Sequence, residues 1–202
     1  MGRPSLAEPR REQMLAAITR CIAKHGLAAS TQEVIARESG FSRSHIRHYL
    51  GNREAVISAV WDHMLTPYSI KLTEALDDED PAVRTAQVID FLFGPEMERK
   101  PEDLAIEALI DGSTRHPVLR RRIERTYHEL EAQIATHLRS VNPRLSVAEA
   151  EEAGFAIVAL SFGTSSLCDL GFPETRWLAM KATASRIIDH ALASGHDQAP
   201  PS

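Results

Sequence analysis

Residues 31–53 read TQEVIARESGFSRSHIRHYLGNR, and most of what the chain is follows from them. Two short amphipathic segments flank the centre of this stretch. There Gly40 supplies the positive φ favoured at the end of a helix, and Ser42 can cap the helix that follows. Two short helices about a glycine-containing turn are the pattern of a helix-turn-helix. The second helix would bury Ile46 and Leu50 and display a basic surface without carboxylates, which we expect to contact a nucleic acid.

Charge is distributed unevenly along the 202 residues. Residues 1–53 hold nine Lys/Arg against four Asp/Glu, a net charge of +5. The remaining residues hold 14 against 24, a net charge of −10, and the two values together give the formal net charge of −5. A basic end on an acidic remainder indicates that only the first segment meets a polyanion.

The cysteines and the apolar runs indicate in which cellular compartment we expect the protein. Cys21 and Cys168 are too few and too distant in sequence for a disulfide framework. The N-terminus lacks the apolar run of a signal peptide. The longest uncharged run, residues 153–168, has 16 residues, whereas a membrane span needs about 20 that are mostly apolar. The sequence therefore predicts a soluble, cytoplasmic protein with reduced cysteines and no membrane contact.

Apolar residues recur at helical spacing, and no segment alternates as a strand would, so we predict an all-α fold of about nine helices. Capping residues, glycines and prolines set the predicted bounds. These are residues 10–25, 32–39 and 43–50, a fourth helix from 53, a fifth from Pro81 to Gly94, and then 102–115, 117–141, 147–170 and a ninth that reaches 193. We divide the chain into a helix-turn-helix domain, 1–53, a helical domain, 54–195, and a disordered tail, 196–202.

The pattern around the helix-turn-helix extends well beyond the turn itself. An amphipathic helix ends in glycine, a Thr-x-x-x-Ile-Ala-x-x-x-Gly-Phe-Ser segment follows, and a short helix with a His-Tyr-Leu end leads to Asn-Arg-Glu-x-Val. The residues concerned are Gly26, Thr31, Ile35, Ala36, Gly40, Phe41, Ser42, Ile46, His48, Tyr49, Leu50, Asn52, Arg53, Glu54 and Val56. In these motifs the first 65 residues resemble the TetR family of bacterial transcriptional regulators.

The recognition helix departs from the family pattern at four positions. Arg47 stands where the family commonly has Tyr, which replaces a phosphate-contacting phenol with a cation. Leu50 stands where Phe is common, a conservative exchange in the core. Ser44 and His45 replace a common Gly-Thr, so the base preference of the family does not carry over to this chain.

The resemblance implies a homodimer that binds a palindromic operator in double-stranded DNA and acts as a repressor. It also implies an unidentified small-molecule effector, bound among helices four to eight, that releases the operator. We assign base reading mainly to the start of the recognition helix and phosphate contacts to the start of helix two. The predicted DNA-binding residues are Thr31, Gln32, Ser42, Arg43, Ser44, His45, Arg47, His48, Tyr49 and Arg53.

The resemblance places the dimer interface on helices eight and nine, which carry small and apolar residues suited to close helix approach. The predicted interface residues are Ala156, Leu160, Gly163, Thr164, Leu167, Trp177, Met180, Ala184, Ile187, Ile188 and Ala191. A monomer core would use the same residue types, but a charge-free run of this length favours burial on two sides. The effector pocket is predicted from large apolar residues that would serve equally well as core: Trp61, Met64, Tyr68, Phe91, Met97, Leu109, Tyr127 and Phe162.

Other classes of function find little support in the sequence. His45 and His48 have no carboxylate or thiol near them in sequence to complete a metal site, so we predict no metal and no cofactor. Nucleophile–base pairs and phosphate loops are also missing, since residues 163–166, GTSS, fall inside a predicted helix. The alternatives to a DNA-binding regulator are a helical enzyme and a helical interaction module whose basic end binds an acidic protein.

Overall fold

The computed structural model describes residues 7–94 and 104–193, and every regular element in these ranges is a helix. This confirms the predicted all-α fold. The α-helices are α1 (Ala7–Ala29), α2 (Gln32–Ser39), α3 (Arg43–Leu50), α4 (Arg53–Ala75), α5 (Pro81–Phe93), α6 (Leu104–Gly112), α7 (Pro117–Val141), α8 (Val147–Asp169) and α9 (Glu174–Ala193), with a 3-10 turn at Ser113–Arg115. In the described ranges, no helix is both long enough and apolar enough to span a bilayer.

The described residues form two compact units. Unit 1 consists of residues 7–68 and 104–126, and unit 2 consists of residues 69–94 and 127–193. The dividing points lie within α4 and α7, so both helices contribute to both units. The domains assigned from the sequence, 1–53 and 54–195, were divided by expected function, and they stay a prediction. The predicted tail, 196–202, lies outside the described residues.

The helix-turn-helix is fixed locally by caps at both of its helices. The Thr31 side chain accepts a hydrogen bond from the Val34 amide at the start of α2 (3.3 Å), and Gly40 ends α2 with a φ of 71°. The Ser42 side chain then caps α3 by accepting from the His45 amide (3.2 Å). Each cap satisfies an amide that the helix leaves without a partner. The predicted bounds of α2 and α3 are confirmed to the residue.

A continuous stripe on α1 supplies much of the core of unit 1. Its members are spaced i, i+1, i+4, i+7 and i+8, which places them on one face, and all are almost fully buried: Met14, Leu15, Ile18, Cys21 and Ile22. The end of α6 lies directly against α1, since a Cβ on Gly112 would come within 2.4 Å of a Leu27 methyl carbon. Ion pairing between Arg122 of α7 and Asp62 of α4 adds a polar tie within the unit.

Unit 2 packs α5, α7, α8 and α9 around one apolar core. The core includes Val88, Leu92, Phe93, Ile134, Leu138, Ile157, Ala184 and Ile188. Polar side chains close it at backbone carbonyls: Ser161 donates to the Leu92 carbonyl (2.8 Å), and the Trp177 indole N–H donates to that of Phe93 (2.8 Å). Buried polar groups are therefore paired where these helices meet, as stability requires.

The first and sixth helices have bounds that differ from the predicted ones by more than one residue. The first helix extends over Ala7–Ala29 rather than 10–25, but Gly26 within it has φ 74° and ψ 164°, which are not helical values. The predicted stop at Gly26 is therefore a real break, after which one further turn forms. The sixth helix ends at Gly112 rather than residue 115, because the last residues tighten into a 3-10 turn.

Candidate nucleic-acid interface

The sequence of α3, RSHIRHYL, divides into a buried side and an exposed side. Ile46 and Leu50 are buried, with 4% and 7% of their surface exposed. Tyr49 is half-buried, and its ring meets that of His48 edge to face at 5.1 Å. The remaining residues of α3 are exposed: Arg43, Ser44, His45, Arg47 and His48. Two apolar anchors thus hold the helix so that its basic, carboxylate-free side faces outward.

The start of α2 lies beside this surface. Thr31 and Gln32 are exposed, and the first amides of α2 form the positive end of its dipole. A shallow crevice joins the starts of α2, α3 and α4 and is lined by Gln32, Ile35, Arg43, Ile46, Arg53 and Val56. The structure therefore brings three predicted DNA-binding residues, from three helices, to one place.

Glu33, which is not among the predicted site residues, is an exposed carboxylate at this surface. Its Oε1 accepts a hydrogen bond from Nη1 of Arg43 at 2.6 Å. Hydrogen bonding to its own backbone amide, then to the Thr31 hydroxyl, and the nearby Arg43 charge hold the pKa of Glu33 below its usual value. Among the residues that the structure describes, Arg47 has no ion-pair partner, so the two arginines of α3 differ in their surroundings.

Arg53 has a different position from the one expected of a phosphate-binding side chain. Its Nη1 donates to the Ser30 carbonyl (2.6 Å) and its Nη2 to the Leu27 carbonyl (2.9 Å). Partial burial lowers the pKa of this guanidinium. Arg53 thus ties the start of α4 to the segment between α1 and α2, and a DNA contact by Arg53 stays a prediction. Sequence spacing does not reveal this, because the carbonyls lie 23 and 26 residues away.

The predicted pocket residues are distributed over both units. Trp61, Met64, Tyr68 and Leu109 belong to unit 1, Phe91, Tyr127 and Phe162 belong to unit 2, and Met97 lies outside the described residues. Trp61 is 1% exposed and donates its indole N–H to Thr126 Oγ1 (3.0 Å), as a core residue does. In unit 2, Tyr127 packs edge to face on Phe162 at 6.1 Å, and burial raises the pKa of the Tyr127 phenol to about 12. Ligand contact by these residues stays a prediction.

The predicted dimer residues divide between two faces of α8 and α9. Ala184, Ile188, Ala191 and Thr164 are buried, the first three in the core of unit 2, and contact of these residues with a partner stays a prediction. Leu167 is exposed, and the others are half-buried: Ala156, Leu160, Gly163, Trp177, Met180 and Ile187. An open cleft of about 600 Å³ beside Ala156, Ile187 and Ala191 has charged residues at its rim, Glu149, Glu152, Arg186 and His190.

Helices α8 and α9 also expose large apolar residues that lie outside the predicted interface. Phe155 is 63% exposed, Phe162 is 42% exposed, and Leu178 on α9 is 63% exposed. Phe155, Ala159 and Phe162 are spaced i, i+4, i+7, which places them on one face of α8. That spacing is the signal in the sequence that could have identified Phe155 as part of an exposed apolar face.

Known proteins are similar to this chain in sequence and in fold. No family model matches the chain. The HTH-type transcriptional regulator BetI of Ectopseudomonas mendocina (strain ymp) is 28% identical over 163 residues, which cover 79% of this chain and 78% of the relative.

Solved structures superpose over nearly the whole chain. A transcriptional regulator from Pseudomonas aeruginosa PAO1 has a TM-score of 0.80 at 20% identity, covering 94% of this chain and 93% of its own. A TetR transcription regulator from Haloarcula marismortui ATCC 43049 has a TM-score of 0.76 at 17% identity, covering 90% and 97%. The SmeT–triclosan complex has a TM-score of 0.70 at 19% identity, covering 96% and 99%. The chain therefore has the fold of TetR-family transcriptional regulators, which confirms the family resemblance found in its sequence.

Proposed function

We propose that the protein is a transcriptional regulator that binds operator DNA as a homodimer and responds to a small molecule. The proposal is carried by the exposed side of α3, which is basic and has no carboxylate. A cap at its start and the buried residues Ile46 and Leu50 hold this helix in place. Similarity to BetI regulators and to TetR-type structures supports the same assignment. Repression is the mode that we infer, because it is the usual mode of the family that the sequence resembles.

Each part of the interface has a distinct task in this proposal. The start of α3, with Arg43, Ser44 and His45, enters the major groove and reads base edges. Gln32 and the free amides of α2 bind a phosphate, because the helix start carries partial positive charge. Arg47 contacts a second phosphate, and such contacts fix the register of the helix on the duplex.

A second copy of the chain would cover the exposed apolar side of α8 and α9. Phe155, Phe162 and Leu178 expose large apolar surfaces there, and surfaces of this kind mark interaction sites. A two-fold dimer presents two copies of α3, which fit half-sites about one helical turn, or 34–36 Å, apart. A small molecule that changes this separation would weaken DNA binding, and a coupling of about 1–3 kcal/mol is enough for a useful switch. The SmeT–triclosan complex supports a small-molecule site in this fold.

The proposal is tested by DNA affinity as a function of salt. Wild-type protein first enriches duplexes from a randomised pool, and fluorescence anisotropy then measures their affinity between about 50 and about 200 mM salt. Arg47→Ala should bind more weakly to all duplexes. It should also flatten the slope of log affinity against log salt by about 2 per dimer, because one phosphate contact is lost from each protomer.

Arg120→Ala is the matched control. Arg120 is an exposed arginine of α7, paired with Glu124 at 2.9 Å, and its substitution removes the same charge from another helix. We expect wild-type affinity and slope from it. Failure of the wild-type protein to enrich any duplex, or equal behaviour of the two variants, would overturn the proposed function.

A further inference from the structure

The contact between Glu33 and Arg43 places a negative charge beside the predicted DNA-reading surface. Glu33 lies in the first turn of α2, and its carboxylate meets the guanidinium of the first residue of α3 at 2.6 Å. The two side chains are 65% and 62% exposed. An ion pair this exposed contributes little to folding, so stability alone does not explain the pair.

A carboxylate at this position has a cost for DNA binding. Glu33 is ionised at neutral pH, as an exposed glutamate is, so it repels the phosphates that Arg43 and the start of α2 attract. Glutamine in its place would remove that repulsion. The carboxylate is therefore unfavourable for general affinity. Its hydrogen bonds to its own amide and to Thr31 support the start of α2, and its remaining contact is with Arg43.

The geometry of the pair indicates a benefit of this contact. Nη1 of Arg43 is bound to Glu33, which leaves the other guanidinium N–H groups available. Reading a guanine requires two N–H donors held in one plane, directed at O6 and N7. A charge-assisted hydrogen bond from the same planar group restricts its orientation and so reduces the entropy lost on base contact. Arg47 has no such support within the described residues and suits a phosphate contact.

We propose that Glu33 determines specificity by orienting Arg43 to read a base pair rather than bind phosphate non-specifically. The inference rests on the proposed function, because it requires α3 to enter the major groove. It makes Glu33 a positioning residue that acts through Arg43. The base that we expect Arg43 to read is guanine, the commonest partner of arginine in the major groove.

The test compares base preferences instead of affinity alone. Wild type, Glu33→Gln, Arg43→Gln and the double variant each select duplexes from the same randomised pool at fixed salt. We expect Arg43→Gln to lose preference for one base pair in each half-site, by about 5- to 150-fold, the range for a bidentate contact. Glu33→Gln should relax preference at that same pair by about 3- to 10-fold while binding random duplex more tightly. The double variant should match Arg43→Gln in its base preferences.

Glu38→Gln is the matched control, because Glu38 is also on α2 and paired, with Lys24 at 3.0 Å, and its ion-pair partners among the described residues lie on α1 and α2. It should leave every base preference unchanged. Unchanged preferences in Glu33→Gln, or the same relaxation in Glu38→Gln, would overturn the inference while leaving the proposed function intact. The inference also fails, and the proposed function again stands, if Glu33→Gln alters preferences further in the Arg43→Gln background. A wild-type protein that selects no sequence would overturn both.

Discussion

The α2–α3 segment and the α8–α9 pair differ in how their sequences separate buried from exposed residues. In α3 the buried residues, Ile46 and Leu50, stand among polar neighbours, and capping side chains fix both helices of the segment. Along α8 the buried Ile157 and the exposed Phe155 are two positions apart in a run without charges. One region is defined by polar residues at fixed positions, and the other by apolar packing, including the close approach of α8 to α7. The difference decides how each region responds to substitution.

Close approach in the α8 region gives the largest expected effect. A Cβ on Gly154 would lie 2.9 Å from the Glu131 carbonyl oxygen on α7, and backbone cannot move aside cheaply. Gly154→Ala should therefore lower the free energy of unfolding by about 1–3 kcal/mol, as overpacking does. Chemical denaturation followed by circular dichroism measures the change.

Gly163→Ala is the matched control on the same helix. No heavy atom lies within 4 Å of its Cβ position, so the variant should gain about 0.4–1 kcal/mol through reduced freedom of the unfolded chain. Equal effects at the two glycines would contradict the claim that close helix contact defines this region. A loss at Gly163 alone would instead place it against a partner protomer.

Caps in the α2–α3 segment give the next largest effect. Thr31→Ala and Ser42→Ala each remove an acceptor for a helix-start amide, and each should cost about 1 kcal/mol of unfolding free energy. Ser44→Ala removes a hydroxyl that lies 2.9 Å from that of Ser42 but itself caps no amide, and it should change stability by less than about 0.5 kcal/mol. Denaturant titrations of the three variants measure these changes. If Ser44→Ala costs as much as Ser42→Ala, polar capping is not what fixes this region.

The smallest expected effect is on the pH dependence of stability, and it comes from His137 of α7, a buried polar residue in the largely apolar unit 2. It is 5% exposed, and its ring lies between the Thr85 hydroxyl (2.8 Å) and the Arg84 guanidinium (3.4 Å). Burial, and then the Arg84 charge, lower the pKa of His137 below 6.5. The unfolded chain therefore takes up the proton more readily. As a result, the stability contributed by neutral His137 is complete above about pH 6.5 and declines as pH falls below it.

His137→Gln, which cannot titrate, should lose less stability than wild type between about pH 7.5 and about pH 5. Denaturant titrations at the two pH values measure this difference. A wild-type loss no greater than that of the variant would show that His137 does not resist protonation in the folded protein.

The two regions also differ in how much their sequences reveal. Polar residues at fixed positions predict the bounds of α2 and α3, their caps and the exposed side of α3, because each capping side chain fits only the start of a helix. The Glu33 contact does not follow, since it depends on how α2 and α3 are turned relative to each other. In α8 and α9, small and apolar residues satisfy several orientations equally, so the sequence does not separate the core residues Ala184, Ile188 and Ala191 from residues that would meet a partner.

In the proposed function, the α2–α3 segment binds DNA while the α8–α9 pair holds two chains together, so that two copies of α3 bind at once. Phe155→Glu places a charge on the exposed side of α8, and Val118→Glu places one at a 43%-exposed residue of α7 as the control. The decisive measurement is the affinity of both variants for two duplexes, one with a paired half-site and one with a single half-site, both taken from the wild-type selection.

Because linked binding raises affinity about 100-fold or more, Phe155→Glu should lose that much on the paired duplex and almost nothing on the single half-site. Val118→Glu should match wild type on both duplexes. Wild-type affinity of Phe155→Glu for the paired duplex, or equal losses on both duplexes, would contradict the claim.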